Sequence, residues 1–221
     1  MSAGGDSDER ATSEREALGA PVQPRSQQDF DSSYEGRPPW DIGRPQAAFV
    51  DVVESGGLSG RVLDVGCGTG EHVLLAAAAG YDATGIDLAW AAIAQATEKA
   101  RQRGLEATFL VHDALDLASL SGPFGTVLDS GLFHVLSDAD RTRYAEQLHR
   151  VVTPGGRCYL LAFSDRQSGE WGPRRVSEQE LRDCFVDGWR IESVEPATYE
   201  VNLHPGRAEA WLTTVVRTET P

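Results

Sequence analysis

Val62-Leu63-Asp64-Val65-Gly66-Cys67-Gly68-Thr69-Gly70 followed by Glu71-His72-Val73-Leu74-Leu75-Ala76-Ala77 runs from a short apolar stretch, through a glycine-rich turn, into a helical stretch. Glycines at such a turn let the backbone pass close to a bound nucleotide, and the N–H groups opening the next helix point at polar ligand groups. The turn alone is equally a tight strand-to-helix connection. The next β-rich run decides between them: Ala83-Thr84-Gly85-Ile86-Asp87 ends in an acid. A carboxylate at the end of the second strand is placed to accept hydrogen bonds from the ribose hydroxyls of a nucleoside.

Outward from this unit, β-rich runs at 61–65, 82–87, 107–111, 125–129, 156–163, 189–199 and 209–217 alternate with helical stretches near 70–79, 89–103, 138–152 and 177–185. That alternation predicts an α/β, Rossmann-like fold: a seven-stranded, mainly parallel sheet with helices on both faces. Only Asn202-Leu203-His204-Pro205-Gly206 separates the last two runs, too short for a parallel crossover, so they are expected to form a C-terminal antiparallel hairpin. Upstream, Pro45 is expected near the first turn of a helix whose apolar face is Phe49, Val52 and Val53, stopped by Gly56-Gly57. Residues 1–28 offer little to bury and read as a disordered tail. Residues 29–221 then make one domain: a lid segment and helix at 29–57, a nucleotide-binding core at 60–163, and a substrate-side helix and hairpin at 164–221.

The composition bounds the function. The 221 residues carry a formal net charge of −14, from 34 acids against 20 bases, with Lys99 the only lysine and the arginines scattered. Such a chain is a poor partner for a phosphate backbone. No apolar run approaches the ~20 residues that span a bilayer, and Cys67, Cys158 and Cys184 show no C-x-x-C spacing. The expectation is a cytoplasmic protein acting on a small molecule, with no nucleic acid, membrane or metal partner. The glycine spacing is G-x-G-x-G, and position 71, where a dinucleotide fingerprint needs glycine, is Glu71. A carboxylate there is expected to repel a pyrophosphate and to tolerate a cationic cofactor.

Val62 to Gly70 and Gly85-Ile86-Asp87 resemble the first two motifs of class I S-adenosylmethionine-dependent methyltransferases, a resemblance covering roughly residues 60–163. It implies S-adenosylmethionine as cofactor, S-adenosylhomocysteine as product, and a cofactor site at Asp64, Gly66, Cys67, Gly68, Gly70 and Asp87. His112-Asp113-Ala114 resembles the adenine-contacting turn, with Asp113 accepting from the exocyclic amine and Ala114 donating its N–H. Leu88, with Trp90, is expected to flank the adenine. Asp129-Ser130-Gly131-Leu132-Phe133-His134 resembles the segment beside the methyl group, making Asp129 and Ser130 cofactor neighbours and His134 and Asp129 catalytic candidates. Val152 to Arg157 resembles the turn before the fifth strand. Pro39-Trp40-Asp41-Ile42-Gly43-Arg44-Pro45 resembles the opening segment of the thiopurine, thiol and halide methyltransferases and of related bacterial enzymes acting on small heterocycles and phenolics. There Trp40 is expected either near the sulfonium, with a cation–π contact of ~0.5–2 kcal/mol, or as a core anchor. Tyr34, Asp41 and His134 are the substrate-side candidates, with His204 and Arg207 behind them, while His72 is expected to be structural and His149 solvated. The function implied is in-line methyl transfer to a thiol, phenol, heteroaromatic atom or halide. The alternatives are an NAD-type oxidoreductase and a non-catalytic S-adenosylmethionine-binding module.

Overall fold

The computed structural model describes residues 31–219; the expected tail at 1–28 lies outside them. The elements run α1 (Ala47–Glu54), β1 (Val62–Val65), α2 (Glu71–Ala78), β2 (Ala83–Asp87), α3 (Trp90–Arg103), β3 (Thr108–Val111), β4 (Phe124–Ser130), α4 (Asp138–Val151), β5 (Val152–Phe163), α5 (Glu178–Cys184), β6 (Trp189–Glu200) and β7 (Arg207–Arg217). Short 3-10 turns at Ala114–Ser119 and Phe133–Val135 follow β3 and β4. The strands make one sheet in the order β3-β2-β1-β4-β5-β7-β6. Pairing is parallel from β3 through β5 and antiparallel for β5–β7 and β7–β6.

Why these segments are strands follows from where they sit. β1 is buried along its whole length, and β2 and β4 are buried up to their final residues, so they read as continuous apolar runs, as parallel strands covered on both faces must. Helices α1, α2 and α3 supply Phe49, Val52, Val73, Ala76 and Ile93 to one core. Helices α4 and α5 supply Tyr144, Leu148, Val151 and Leu181 to the other. Ser137 caps α4, its hydroxyl accepting the Asp140 N–H, and Ser177 with Glu180 forms a reciprocal capping box on α5.

Two details depart from the sequence reading. Pro45 precedes Gln46, the N-cap of α1, and so stands just outside the helix. β5 begins at Val152, but its partner register jumps from Phe124↔Val152 to Thr126↔Arg157, so the expected glycine turn survives as a wide bulge within the strand. The C-terminal hairpin is antiparallel, as expected, and folds back so that β7 lies against β5. β7 is the more buried of the two and takes the interior position, leaving half-exposed β6 at the edge. Strand order reverses between β1 and β4, and ligands of open α/β sheets bind outside the carboxyl ends of strands at such a switch point. No helix among the described residues is long and apolar enough to cross a membrane.

Candidate active site

The switch point is occupied by the turn from β1 into α2. Gly68 and Gly70 both have positive φ, +51° and +84°, a conformation that side-chain-bearing residues rarely adopt. Their surroundings separate their roles. A Cβ on Gly68 would lie 2.8 Å from the Tyr34 hydroxyl, whereas one on Gly70 would lie 2.8 Å from both Ala96 Cβ and Phe109 Cε1. Gly68, together with Gly66 and Cys67, therefore lines the open cleft. Gly70, expected at the cofactor, instead packs the start of α2 against α3 and β3.

At the end of β2, the two Asp87 oxygens accept the N–H groups of Gly68 at 2.9 Å and Ala89 at 2.8 Å. Burial raises its carboxyl pKa, and these two bonds oppose the rise. Asp113 caps the 3-10 turn after β3 through the Leu115 N–H at 2.8 Å and stays exposed, with Ala114 half-buried beside it. Leu88 is half-buried, but Trp90 is 66% exposed, so it faces solvent and does not pack beneath α3.

Tyr34, Trp40 and Asp41 lie over the glycine turn, opposite Ser130 and Tyr199, and enclose a solvent-open cleft of about 420 Å3 counting its mouth. Trp40 Nε1 donates to the Tyr34 hydroxyl at 3.0 Å, and the two rings meet edge to face. Asp41 Oδ2 accepts from Thr69 Oγ1 at 3.2 Å, tying the lid to the turn. The segment is also pinned to β6. Arg44 meets Glu200 with two bonds of 2.7 and 2.9 Å, the Gln46 amide donates to the Glu200 carbonyl, and it accepts the Glu200 N–H. His72, expected to be structural, stands in the lining of the cleft, where its Nε2 accepts the Gln46 N–H at 3.1 Å. His204 and Arg207 lie at the exposed hairpin turn and do not line the cleft, while His149 is only half exposed and packs on Trp189.

Beneath the turn, Asp64 is completely buried and neither oxygen has a hydrogen-bond partner; His72 Nδ1 stands 3.7 Å away. Asp129 is also sealed. Its Oδ1 accepts the N–H groups of Leu132 at 2.9 Å and Phe133 at 3.2 Å, its Oδ2 has no partner, and burial pushes its carboxyl up to about 7. The Tyr144 hydroxyl adjoins it outside hydrogen-bond geometry. His134, on the turn that Asp129 organises, accepts the Phe163 N–H at Nδ1, 3.1 Å away. That bond leaves the proton on Nε2 in the neutral ring. Burial, with Arg141 and Arg175 nearby, pushes the imidazole down to about 3. Neither catalytic candidate thus presents a free basic atom to the cleft. Tyr199, which the sequence reading missed, packs 5.7 Å from the His134 ring, and its hydroxyl donates to the Ser130 carbonyl at 3.3 Å. It lies on a half-exposed edge strand without a motif, so nothing in the sequence marked it.

The residues present fit S-adenosylmethionine, although one sequence argument for it fails. Glu71 does not act as a free repelling charge: burial would raise its carboxyl, but bidentate Arg103 and Lys99 outweigh this and hold it low. The cations beside the turn are nonetheless engaged, Lys99 and Arg103 with Glu71 and Arg44 with Glu200, while Asp64 lies sealed beneath the turn and Asp87 holds it from behind through the Gly68 N–H. A turn backed by acids suits a cofactor with a cationic sulfonium, an amine and a ribose diol better than a pyrophosphate.

Residues 62–156 match the family described as "Methyltransferase domain". The chain is 37% identical to the 2-heptyl-1-hydroxyquinolin-4(1H)-one methyltransferase of Mycobacteroides abscessus, over 78% of this chain and 81% of that protein. It is 27% identical to the probable thiol methyltransferase 2 of Arabidopsis thaliana, over 71% of each. Among solved structures it resembles, at 39% identity and a TM-score of 0.80, a protein studied for the conversion of a disulfide bond into a thioacetal group during echinomycin biosynthesis; the match covers 87% of this chain and 93% of that one.

Proposed function

The chain belongs to the class I S-adenosylmethionine-dependent methyltransferases, and from that premise we propose that it methylates the hydroxyl or thiol of a small aromatic or heteroaromatic acceptor. The observation that carries this reading is the aromatic lining of the cleft, where Tyr34, Trp40 and Tyr199 stand beside the glycine turn. Flat apolar ligands gain most from such a lining. Behind Tyr199 an aromatic wall continues into the interior: Phe163 is buried there, with His134, Tyr199 and Trp171 at 5.1, 5.2 and 5.6 Å between ring centroids. The relatives named for a hydroxyquinolone and for thiols support oxygen and sulfur as the accepting atoms.

The bound cofactor supplies an electrophilic methyl group on a good leaving group. The chain's own work is then to bind, orient and exclude water. Asp87 takes the ribose hydroxyls, Leu88, Asp113 and Ala114 the adenine, and Gly66 to Gly68 the methionine moiety. Tyr34, Trp40 and Asp41 close over them from the lid. Asp129 acts through backbone: by holding Leu132 and Phe133 it shapes the turn that carries His134. His134 then points a fixed Nε2 donor toward the acceptor, and the gain comes from positioning. Cys67, Cys158 and Cys184 are all free thiols, which supports the cytoplasm as its place.

Incubation with S-adenosylmethionine and a panel comprising a hydroxyquinolone, thiophenol, thiocyanate and iodide tests the proposal, with S-adenosylhomocysteine release as readout. Turnover of the hydroxyquinolone or thiophenol is expected. Turnover of thiocyanate or iodide alone overturns the aromatic-acceptor reading.

A further inference from the structure

Arg175 lies in the loop that leads from β5 to α5, and its guanidinium is committed to main-chain carbonyls. Nη2 donates to Gly169 at 2.9 Å and Trp171 at 2.7 Å, Nη1 to Pro173, and Nε, more weakly, to Gln167 at 3.5 Å. Four of its five N–H groups are used and one on Nη1 remains. Carbonyls satisfy its hydrogen bonds but not its charge. Its neighbour Arg174 is paired with both Asp138 and Glu180, whereas Arg175 forms no ion pair among the described residues and burial lowers its pKa. A half-buried cation without a counter-ion is costly, and chains retain few of them.

Its position gives the charge a use. The guanidinium carbon lies 5.7 Å from the centre of the Phe163 ring, the same ring that His134 and Trp171 meet edge-on. His134, buried against the same ring, contributes a second unused donor, since its Nε2 has no hydrogen-bond partner among the described residues. The other charged and titratable groups around this wall are engaged elsewhere or face solvent. Arg141 on α4 is held by Glu180 and the Phe133 carbonyl, although its buried Nη2 has no partner, exposed Arg166 lies over the Trp211 ring, and Asp165 accepts from Trp211 Nε1. Glu170 points to solvent, and the Tyr199 phenol is pushed up to about 12 by burial and stays neutral.

We propose that the acceptor binds as its anion, with Arg175 supplying the counter-charge and the His134 Nε2–H a hydrogen bond to the ionised oxygen or sulfur. The acceptor proton is released to water before binding, and no base of the protein is needed. The inference rests on the aromatic-acceptor reading above, and it explains why that site has two donors and no free base.

Direct binding tests it without turnover. The complex with S-adenosylhomocysteine is titrated with 4-nitrophenol and with its methyl ether, 4-nitroanisole, at pH values spanning the ionisation of the phenol. The phenolate is expected to bind about tenfold more tightly than the ether, the preference rising with pH as the free phenol ionises. Arg175→Gln is expected to abolish the preference while leaving affinity for S-adenosylhomocysteine within about twofold, and Arg175→Lys to keep part of it. Equal binding of phenolate and ether by the unaltered protein overturns the inference and leaves the aromatic-acceptor reading standing. A preference that survives Arg175→Gln intact also overturns it. Binding of neither ligand, with S-adenosylhomocysteine bound normally, overturns both.

Discussion

Asp87 holds the backbone N–H of Gly68 at 2.9 Å, so the acid that ends β2 and the turn that follows β1 form one unit. The same carboxylate holds Ala89 at the start of α3 and is left with lone pairs for a ribose. Asp87→Ala is therefore expected to weaken S-adenosylhomocysteine binding by about 10- to 100-fold, the range expected for losing charge-assisted hydrogen bonds. Asp87→Asn, which keeps one acceptor, should fall between the two. Calorimetric titration reads this directly, and affinity within twofold of the parent in both variants would remove Asp87 from the cofactor site.

Gly68 and Gly70 differ in what they touch, and alanine at each should fail differently. Gly70→Ala places a methyl 2.8 Å from Ala96 and Phe109 at a φ of +84°, so both packing and backbone are strained and the fold should lose about 2–4 kcal/mol. Gly68→Ala meets only the end of the Tyr34 side chain. Its expected signature is a milder stability loss, chiefly from the positive φ, with a marked fall in cofactor affinity. Urea unfolding combined with titration separates the cases. Equal stability losses would show that the two glycines share one structural duty.

The contrast between these glycines shows where sequence reading reaches its limit. The runs at β1, β2 and β4 were legible because strands buried on both faces must be largely apolar. The spacing of Gly66, Gly68 and Gly70 showed that the backbone needed glycine, but not which glycine lined the cleft and which faced Ala96. Contacts made across the fold were invisible. Glu71 is neutralised from α3 by Lys99 and Arg103, and Tyr199 reaches Ser130 from the last hairpin. Arg175 carried no motif, and its lack of a carboxylate partner is a fact of three dimensions.

Arg44 and Gln46 both tie the lid to Glu200, and their burial predicts unequal worth. Arg44 is exposed, so Arg44→Ala should cost no more than ~1 kcal/mol despite its two short bonds. Gln46 is 2% exposed and satisfies both the N–H and the carbonyl of Glu200, so Gln46→Ala should cost ~1–3 kcal/mol. It should also speed proteolytic cleavage near Arg37. Were Arg44→Ala the more damaging, the lid would be held by charge at its rim and not by the buried amide.

Asp129 and His134 lean in opposite directions with pH. Asp129, raised to about 7, binds a proton in the folded state that the unfolded chain, with a carboxyl near 3.9, releases. Its contribution is fully present below pH ~4 and is lost as pH rises toward 7. His134, lowered to about 3, is neutral when folded while the unfolded imidazole protonates below about 6.5, so its contribution is present above that value and lost as pH falls toward 3. Between pH ~4 and ~6.5 the two slopes, each at most ~1.4 kcal/mol per pH unit, largely cancel in the intact protein. Asp129→Asn, whose amide oxygen still accepts from Leu132 and Phe133, should unmask the histidine and make stability rise with pH across that window. His134→Asn should unmask the carboxyl and make it fall. Unfolding free energies from urea titrations at several pH values measure both slopes. An Asp129→Asn curve parallel to that of the parent would mean that the buried carboxyl ionises as an ordinary aspartate does.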